Sequence, residues 1–446
     1  MDTPIFDFVS RYIESGASRL HMPGHKGVGP LGCEARDITE IDGADSLYEA
    51  SGVIARSERN ATALFGAEAT FYGTEGSSQC VRAMLLLAMR ARGQGTGRPV
   101  ALAARNAHKS LLYAAALCDF DVEWLWPEGG SGALCACPVT PETLRTRLGA
   151  MSRRPFCVFV TSPDYLGGMQ DISGLSEVCR AFGVPLLVDN AHGAYLKFLP
   201  RSLHPLDQGA DACCDSAHKT LPVLTGGAYL HFASGPARRW AAEAREALSM
   251  FGSTSPSYLI LQSLDLCNAR LAGDYPARLA ETAERVSALK GRLRDAGARV
   301  LSTEPLKLTL AGNGRLLAAA LRRGGVECEY ADRDHVVLML TPENADRDYA
   351  RIEAALSAPE LHERHESREP VPAATPGRRA MTLREAMFAP AEWAPVDRAA
   401  GRVCAAPTVS CPPAVPIAVS GEVISPETIE VFRHYGIGAV RVVADS

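Results

Sequence analysis

The sequence predicts an α/β protein: a large domain on a mostly parallel sheet, a small α+β domain and a C-terminal α+β appendage. Three observations predict this. From about residue 99, short apolar runs alternate with amphipathic helical stretches, as in a parallel sheet covered on both faces. A long helical tract then leads into shorter alternating pieces that end near residue 357. A proline- and charge-rich stretch separates these from a last segment with one helix and short strands.

Taken in order, PVALAA (99–104), FCVFVTS (156–162), VPLLVD (184–189) and GGAYLHF (226–232) read as strands of the large sheet. Between the second and third, Ile172 to Phe182 reads as a helix. Leu175, Val178, Cys179 and Phe182 recur at helical spacing, and Gly183 stands where a C′ glycine belongs, which makes one βαβ unit. Residues 237–296 are rich in Ala, Arg, Leu and Glu and read as almost wholly helical, with breaks at Ser253-Thr254-Ser255-Pro256 and near Pro276. RVLS, LKLTL, VECEYA and HVVLML follow as short strands, with the helical LLAAALRR between the second and third. Pro359, Pro370, Pro372 and Pro376 among charges make 358–379 a linker. The last piece opens with the helical TLREAMF and closes with the strands VPIAVSG and GAVRVV. The expected organisation is an N-terminal arm (1–30), a large domain (31–250), a helical connection with the small domain (251–357), the linker (358–379) and a C-terminal domain (380–446).

Composition narrows the function classes. The chain has 446 residues, 47% hydrophobic and 22% charged, which at roughly 100–200 residues per domain fits two to four domains. A net charge of -5 excludes the strongly basic surface that binds nucleic acid. No run approaches the ~20 apolar residues of a membrane span, and MDTPIFDFVSRYIES has neither a basic n-region nor an apolar h-region, so a cytoplasmic protein is expected. The thirteen cysteines are odd in number and make up only about 3% of the chain, which favours reduced thiols. Cys135/Cys137 and Cys213/Cys214 are too close for the usual ligand gap, and His362-Glu363-Arg364-His365 is not HExxH, so no metal is expected.

Three short stretches carry chemistry. Asp211 to Pro222 is an extended segment that runs into a turn bearing Ser216, His218 and Lys219 within four residues. Asp189 ends the buried run LLVD about 30 residues earlier, and in open α/β sheets ligands bind beyond the carboxyl ends of strands. Thr74-Glu75-Gly76-Ser77-Ser78 precedes the helical VRAMLLLAMRA and so offers hydroxyls and free N–H groups at a helix start, suited to a phosphate. A lysine, a buried acid and a phosphate cradle are together what pyridoxal 5'-phosphate chemistry requires.

The chain resembles, nearly end to end, the short-form Orn/Lys/Arg decarboxylases of the fold type I (aspartate aminotransferase-like) pyridoxal phosphate enzymes. The resemblance rests on HMPGHKG (21–27), DITEIDGADSLYEASGVI (37–54), RNAHKSLLYAA (105–115), TSPDYLGGMQDI (161–172), VDNAHGAY (188–195), SAHKTLP (216–222), STSPSYLILQSLD (253–265), ADRDHVVLMLT (331–341) and the tail GRVCAAPTVSCPPAVPIAVSGE (401–422). It implies a seven-stranded-type large domain and at least a homodimer. The implied reaction is α-decarboxylation of arginine, lysine or ornithine to the amine and CO₂, feeding polyamine synthesis. A transaminase, a β-eliminating lyase or an inactive cofactor-binding paralogue would keep the same cofactor.

By the same resemblance Lys219 is the Schiff-base lysine and Asp189 the partner of the pyridine nitrogen. His108 stacks on one face of the ring and Ala191 packs on the other, while Gly76, Ser77, Ser78, Ser216 and His218 surround the phosphate and His192 belongs to the cofactor site. From the residues alone, His108 equally reads as a helix cap and His192 as a core histidine. His21, His25 and Lys26 are candidate substrate or cofactor contacts or a basic surface turn. The loop with Ser255 is a cross-subunit lining or a capping cluster. Asp42, Asp45 and Glu422 are acidic candidates for the substrate's far end. The chain departs from the family pattern in reading TEGSS for TNGST, which puts Glu75 beside the expected phosphate, and DNAH for DEAH, which puts Asn190 after Asp189. Tyr-Glu-Ala-Ser-Gly after GADSL and Asp164 in TSPDY are further departures.

Overall fold

A computed structural model describes residues 1–92, 97–127, 133–235, 237–356, 358, 376–407 and 414–445. The chain forms two compact units, residues 1–95 with 172–279 and residues 96–171 with 280–446. Each compact unit takes two separate stretches of chain.

Seven strands form the large sheet: β1 (Ala69–Gly73), β2 (Val100–Ala104), β3 (Asp121–Leu125), β4 (Cys157–Thr161), β5 (Leu186–Asp189), β6 (Ala212–Asp215) and β7 (Ala228–Phe232). Their order is β1-β7-β6-β5-β4-β2-β3. β2 is parallel to β3 and β4, β5 is parallel to β6, and β7 runs antiparallel to β6 and β1. Every residue of β2, β5, β6 and β7 is buried, which is why these runs lack polar alternation. The expected helix lies at Ile172–Phe182, buries Leu175, Val178 and Cys179, and ends at Gly183 with φ +60°. The helical tract divides into Arg238–Ala241, Ala244–Ser249, Tyr258–Leu271 and Tyr275–Asp295, broken where the Ser/Pro cluster stands, with Pro276 at the second helical position.

Within the second unit, β8 (Arg299–Val300), β9 (Lys307–Ala311), β10 (Tyr330–Ala331) and β11 (His335–Met339) form an antiparallel sheet in the order β10-β11-β9-β8. Helices Gly314–Arg323 and Asp346–Leu356 cover it through Leu317, Leu321, Ile352 and Leu356. The C-terminal part pairs β12 (Ala391–Pro395) with β13 (Ala439–Val443) and packs helix Pro426–His434 on them through Ile429 and Phe432. VPIAVSG is no strand. The carbonyls of Pro416 and Ile417 accept hydrogen bonds from the buried Arg105 guanidinium at 2.7 and 2.9 Å, so this apolar run is buried by a side-chain clamp and not by a ladder. The expected linker lies outside the described residues except for 358 and 376–379. Among the described residues no helix is long and apolar enough to cross a membrane.

Candidate functional site

The strand directions bring three chain segments to one edge of the first unit. β1 and β6 each run opposite to β7, and β5 runs with β6, so the C-terminal ends of β1, β5 and β6 face the same way. Beyond them lie the turn to Ser77, the acid Asp189 and the segment from Ser216 to Lys219. Asp189 is the last residue of β5 and only 3% exposed. Its Oδ1 accepts the Ala191 N–H at 3.2 Å. Burial pushes this carboxyl up, and the nearby Lys219 charge acts against that shift. Lys219 sits on the short helix Ala217–Thr220, with Nζ 3.0 Å from His192 Nε2.

Ser216, 1% exposed, donates its hydroxyl to Ser77 Oγ at 2.8 Å. Ser77 and Ser78 open helix Ser77–Ala91, whose first N–H groups have no acceptor within the helix. Gly76 precedes it at φ +70°, a conformation that disfavours side chains, and gives its N–H to Gly226 O at 2.7 Å. His218 Nδ1 faces Gly227 O at 3.0 Å. A buried carboxylate, an amine and a hydroxyl-lined helix start therefore occupy one strand edge, and this donor set fits pyridoxal 5'-phosphate. Asp189 is a buried anion suited to a ring cation, Lys219 an amine for the aldehyde, and the Ser77/Ser216 turn a seat for the phosphate.

The other candidates hold local contacts of their own. His108, in the second unit, caps helix Lys109–Cys118: its Nδ1 accepts the Ser110 N–H at 3.1 Å. Glu422, also there, closes a turn by accepting the Val419 N–H at 3.0 Å; burial raises its carboxyl and Arg105 opposes this. In the N-terminal arm His21 Nε2 faces Tyr12 Oη at 2.6 Å, His25 Nε2 faces Asp37 Oδ2 at 3.2 Å, and Lys26 Nζ reaches His21 O. Ser255 is exposed, with its N–H on Ser253 Oγ at 3.1 Å. Asp42 is exposed, and Asp45 caps helix Val53–Phe65 by accepting N–H groups of Gly52 and Ile54. Glu75 is exposed and accepts the Ser253 N–H, so its charge is tied to the Ser253 loop. Asp164 closes its own turn, its Oδ1 accepting the N–H groups of Leu166 and Gly168 at 2.9 and 2.8 Å.

Sequence reasoning missed one buried polar group behind the site. Asn190 Nδ2 donates to Asp215 Oδ1 at 2.7 Å, while Asp215 Oδ2 faces His204 Nε2 at 3.1 Å and His231 Nε2 at 3.3 Å. The available signal was an acid closing the otherwise apolar ACCD run and a histidine inside AYLHF, since buried charge demands partners.

Comparison with known proteins gives the family and the fold. The family described as Orn/Lys/Arg decarboxylase, major domain, matches residues 3–310. An arginine decarboxylase of Bacillus subtilis is 28% identical over 98% of this chain and 94% of its own length. One of Halalkalibacterium halodurans is 28% identical over 97% and 93%. Among solved structures, the constitutive lysine decarboxylase of Escherichia coli matches 99% of this chain and 82% of its own with a TM-score of 0.77 at 18% identity. A Francisella novicida lysine decarboxylase matches 99% and 81% with a TM-score of 0.81 at 15% identity.

Proposed function

The chain belongs to the Orn/Lys/Arg decarboxylase family, and from that premise we propose that it removes the α-carboxylate of a basic amino acid as CO₂, with pyridoxal 5'-phosphate held at Lys219 and Asp189. Arginine is the proposed substrate, because the two relatives aligned over 98% and 97% of the chain are named arginine decarboxylases. The observation that carries the reading is the edge where Asp189, Lys219, Ser77 and Ser216 converge.

When bound, the cofactor supplies an electron sink for the pair released as the Cα–carboxylate bond breaks. Lys219 provides the amine that holds it covalently. Asp189 provides a fixed negative charge in apolar surroundings, which favours a proton on a ring nitrogen and relieves the cost of its own burial. Ser77 and Ser216 hydroxyls and the first-turn N–H groups of helix Ser77–Ala91 receive the phosphate charge. His192 Nε2, 3.0 Å from Lys219 Nζ, is placed to take and return a proton at that nitrogen.

We further propose a cytoplasmic homodimer or higher homo-oligomer whose amine product enters polyamine synthesis. Leu20, Met22 and Val28 of the arm and Leu31 just after it are 93%, 61%, 79% and 81% exposed, a run of apolar side chains that a second copy would cover. Two variants test the chemistry. Lys219→Ala is expected to lose the visible absorbance of the linked cofactor, and Asp189→Ala to keep the cofactor while losing nearly all turnover. Persistence of the band in the first, or substantial turnover in the second, would overturn the assignments.

A further inference from the structure

The two strand ends that carry Asp189 and Lys219 are joined from beneath. Asn190 follows Asp189 directly, and Asp215 precedes Ser216 directly. Both side chains are 0% exposed, as are those of His204 and His231. Besides the 2.7 Å bond from Asn190 Nδ2 to Asp215 Oδ1, the Asn190 N–H donates to Cys214 O at 3.0 Å. An ionised carboxylate offers only acceptors, so the His204 Nε2 that hydrogen-bonds Oδ2 carries a proton, while His231 Nε2 lies 3.3 Å from the same oxygen without a hydrogen bond. The Thr70 hydroxyl meets His231 Nδ1 at 2.9 Å. Phe65 packs on the His231 ring with centroids 4.3 Å apart, which fixes that ring's direction.

We propose that Asn190 and Asp215 are matched positioning residues: an amide and a carboxylate that lock the end of β5 to the end of β6 and so set Asp189 against Lys219. The inference rests on the assignment of those two residues to the cofactor.

Three observations support it beyond the bond itself. A Cβ on Gly193 would fall 2.0 Å from Asn190 Oδ1, so the turn that carries Ala191 and His192 is wrapped against the same amide. Burial opposes ionisation of Asp215, yet His204 above all, with His231 beside it, outweighs this and holds the carboxyl well below the usual range. Residue 190 carries an amide and not an acid. A glutamate at position 190 would set a second carboxylate against Asp215, so the amide here and the acid at 215 belong together. His204, Asp215 and His231 also present ligand atoms within 4.8 Å of one another; Oδ1 is taken by Asn190 and Oδ2 by His204, which leaves the carboxylate partnered by hydrogen bonds on both oxygens.

The test is a reciprocal exchange in the purified holoenzyme: wild type, N190D, D215N and N190D/D215N. Cofactor retention on dialysis and the position of the cofactor's visible band are measured, with far-UV circular dichroism to follow folding. N190D places two carboxylates at hydrogen-bond distance and is expected to retain cofactor at least ten-fold less tightly, with a displaced band. The double exchange again sets one amide against one carboxylate and is expected to return to within about three-fold of wild type. Wild-type retention in N190D, or a double variant no better than the worse single, would overturn the proposal. Should N190D not fold, N190A serves: weakened retention in a folded protein supports the lock, and unchanged retention overturns it. Stoichiometric metal in the purified wild type, whose removal releases the cofactor, would also overturn it. Wild type that holds no cofactor would instead defeat the assignment of Lys219 and Asp189, which keeps the two failures distinct.

Discussion

Ser216 shows how one side chain serves the site: it is 1% exposed, directly after β6, and its hydroxyl meets Ser77 Oγ at 2.8 Å. That bond joins two neutral hydroxyls and contributes about 0.5–1.5 kcal/mol, so Ser216→Ala, which releases Ser77, should raise the cofactor's dissociation constant roughly two- to ten-fold. Equilibrium titration followed by absorbance checks this, and an unchanged constant would remove Ser216 from the phosphate seat. Glu58 gives a pH dependence. Burial pushes it from 4.5 up to about 7, against the pull of Arg245 and the Tyr72 N–H. A raised folded pKa means the folded state binds the proton more tightly, so this group's contribution is full below 4.5 and is lost as pH rises through about 7. The loss amounts to at most about 3 kcal/mol. Glu58→Gln should therefore gain in Tm relative to wild type between pH 4.5 and 7 and level off above; a difference that stays flat there would contradict the sign. At this scale the strand and helix ends that carry Lys219, Asp189 and the Gly76-Ser77-Ser78 turn were legible because the breaks lie in local sequence, and the structure puts those ends on one edge of the sheet. Asn190 and Asp215 were not, because residues 25 apart leave no local pattern.

The element that most depends on one residue is the C-terminal stretch behind β2. Arg105 is 5% exposed, its guanidinium lies 5.2 Å from both the Trp124 and the Trp126 ring centroids, and it donates to Pro416 and Ile417 carbonyls. The next turn gives its Lys109 N–H to Ala414 O at 3.0 Å. Arg105→Met keeps volume but strands two buried carbonyls and leaves Glu422 without its nearby opposite charge, so it should cost about 2–4 kcal/mol. Chemical denaturation reads this directly, and wild-type stability would show that the clamp does not hold the stretch. The same clamp explains why VPIAVSG looked like a strand: apolar burial predicts that a run is covered, not that its backbone pairs. Where pairing and burial coincide, as in β2, β5 and β7, the run and the strand agree to within two residues.

For the whole molecule, the apolar runs marked β2, β4, β5 and β7 but not β1 or β3, nor that residues 1–95 would gather with 172–279 and 96–171 with 280–446. That sorting follows from contacts distant in sequence. The α/β class and the family were legible because many ordered motifs span the chain, whereas the amino acid acted upon was not. Arginine, lysine and ornithine differ only at the far end of their side chains, and the acidic candidates Asp45 and Glu422 are committed to a helix cap and a turn. The measurement that tests the account most directly is incubation of the purified protein and pyridoxal 5'-phosphate with equal arginine, lysine and ornithine, reading agmatine, cadaverine and putrescine by mass spectrometry. Agmatine is predicted to dominate and to vanish in Lys219→Ala. Cadaverine or putrescine in its place would overturn the choice of arginine, and no amine at all from protein that visibly carries its cofactor would contradict basic-amino-acid decarboxylation itself.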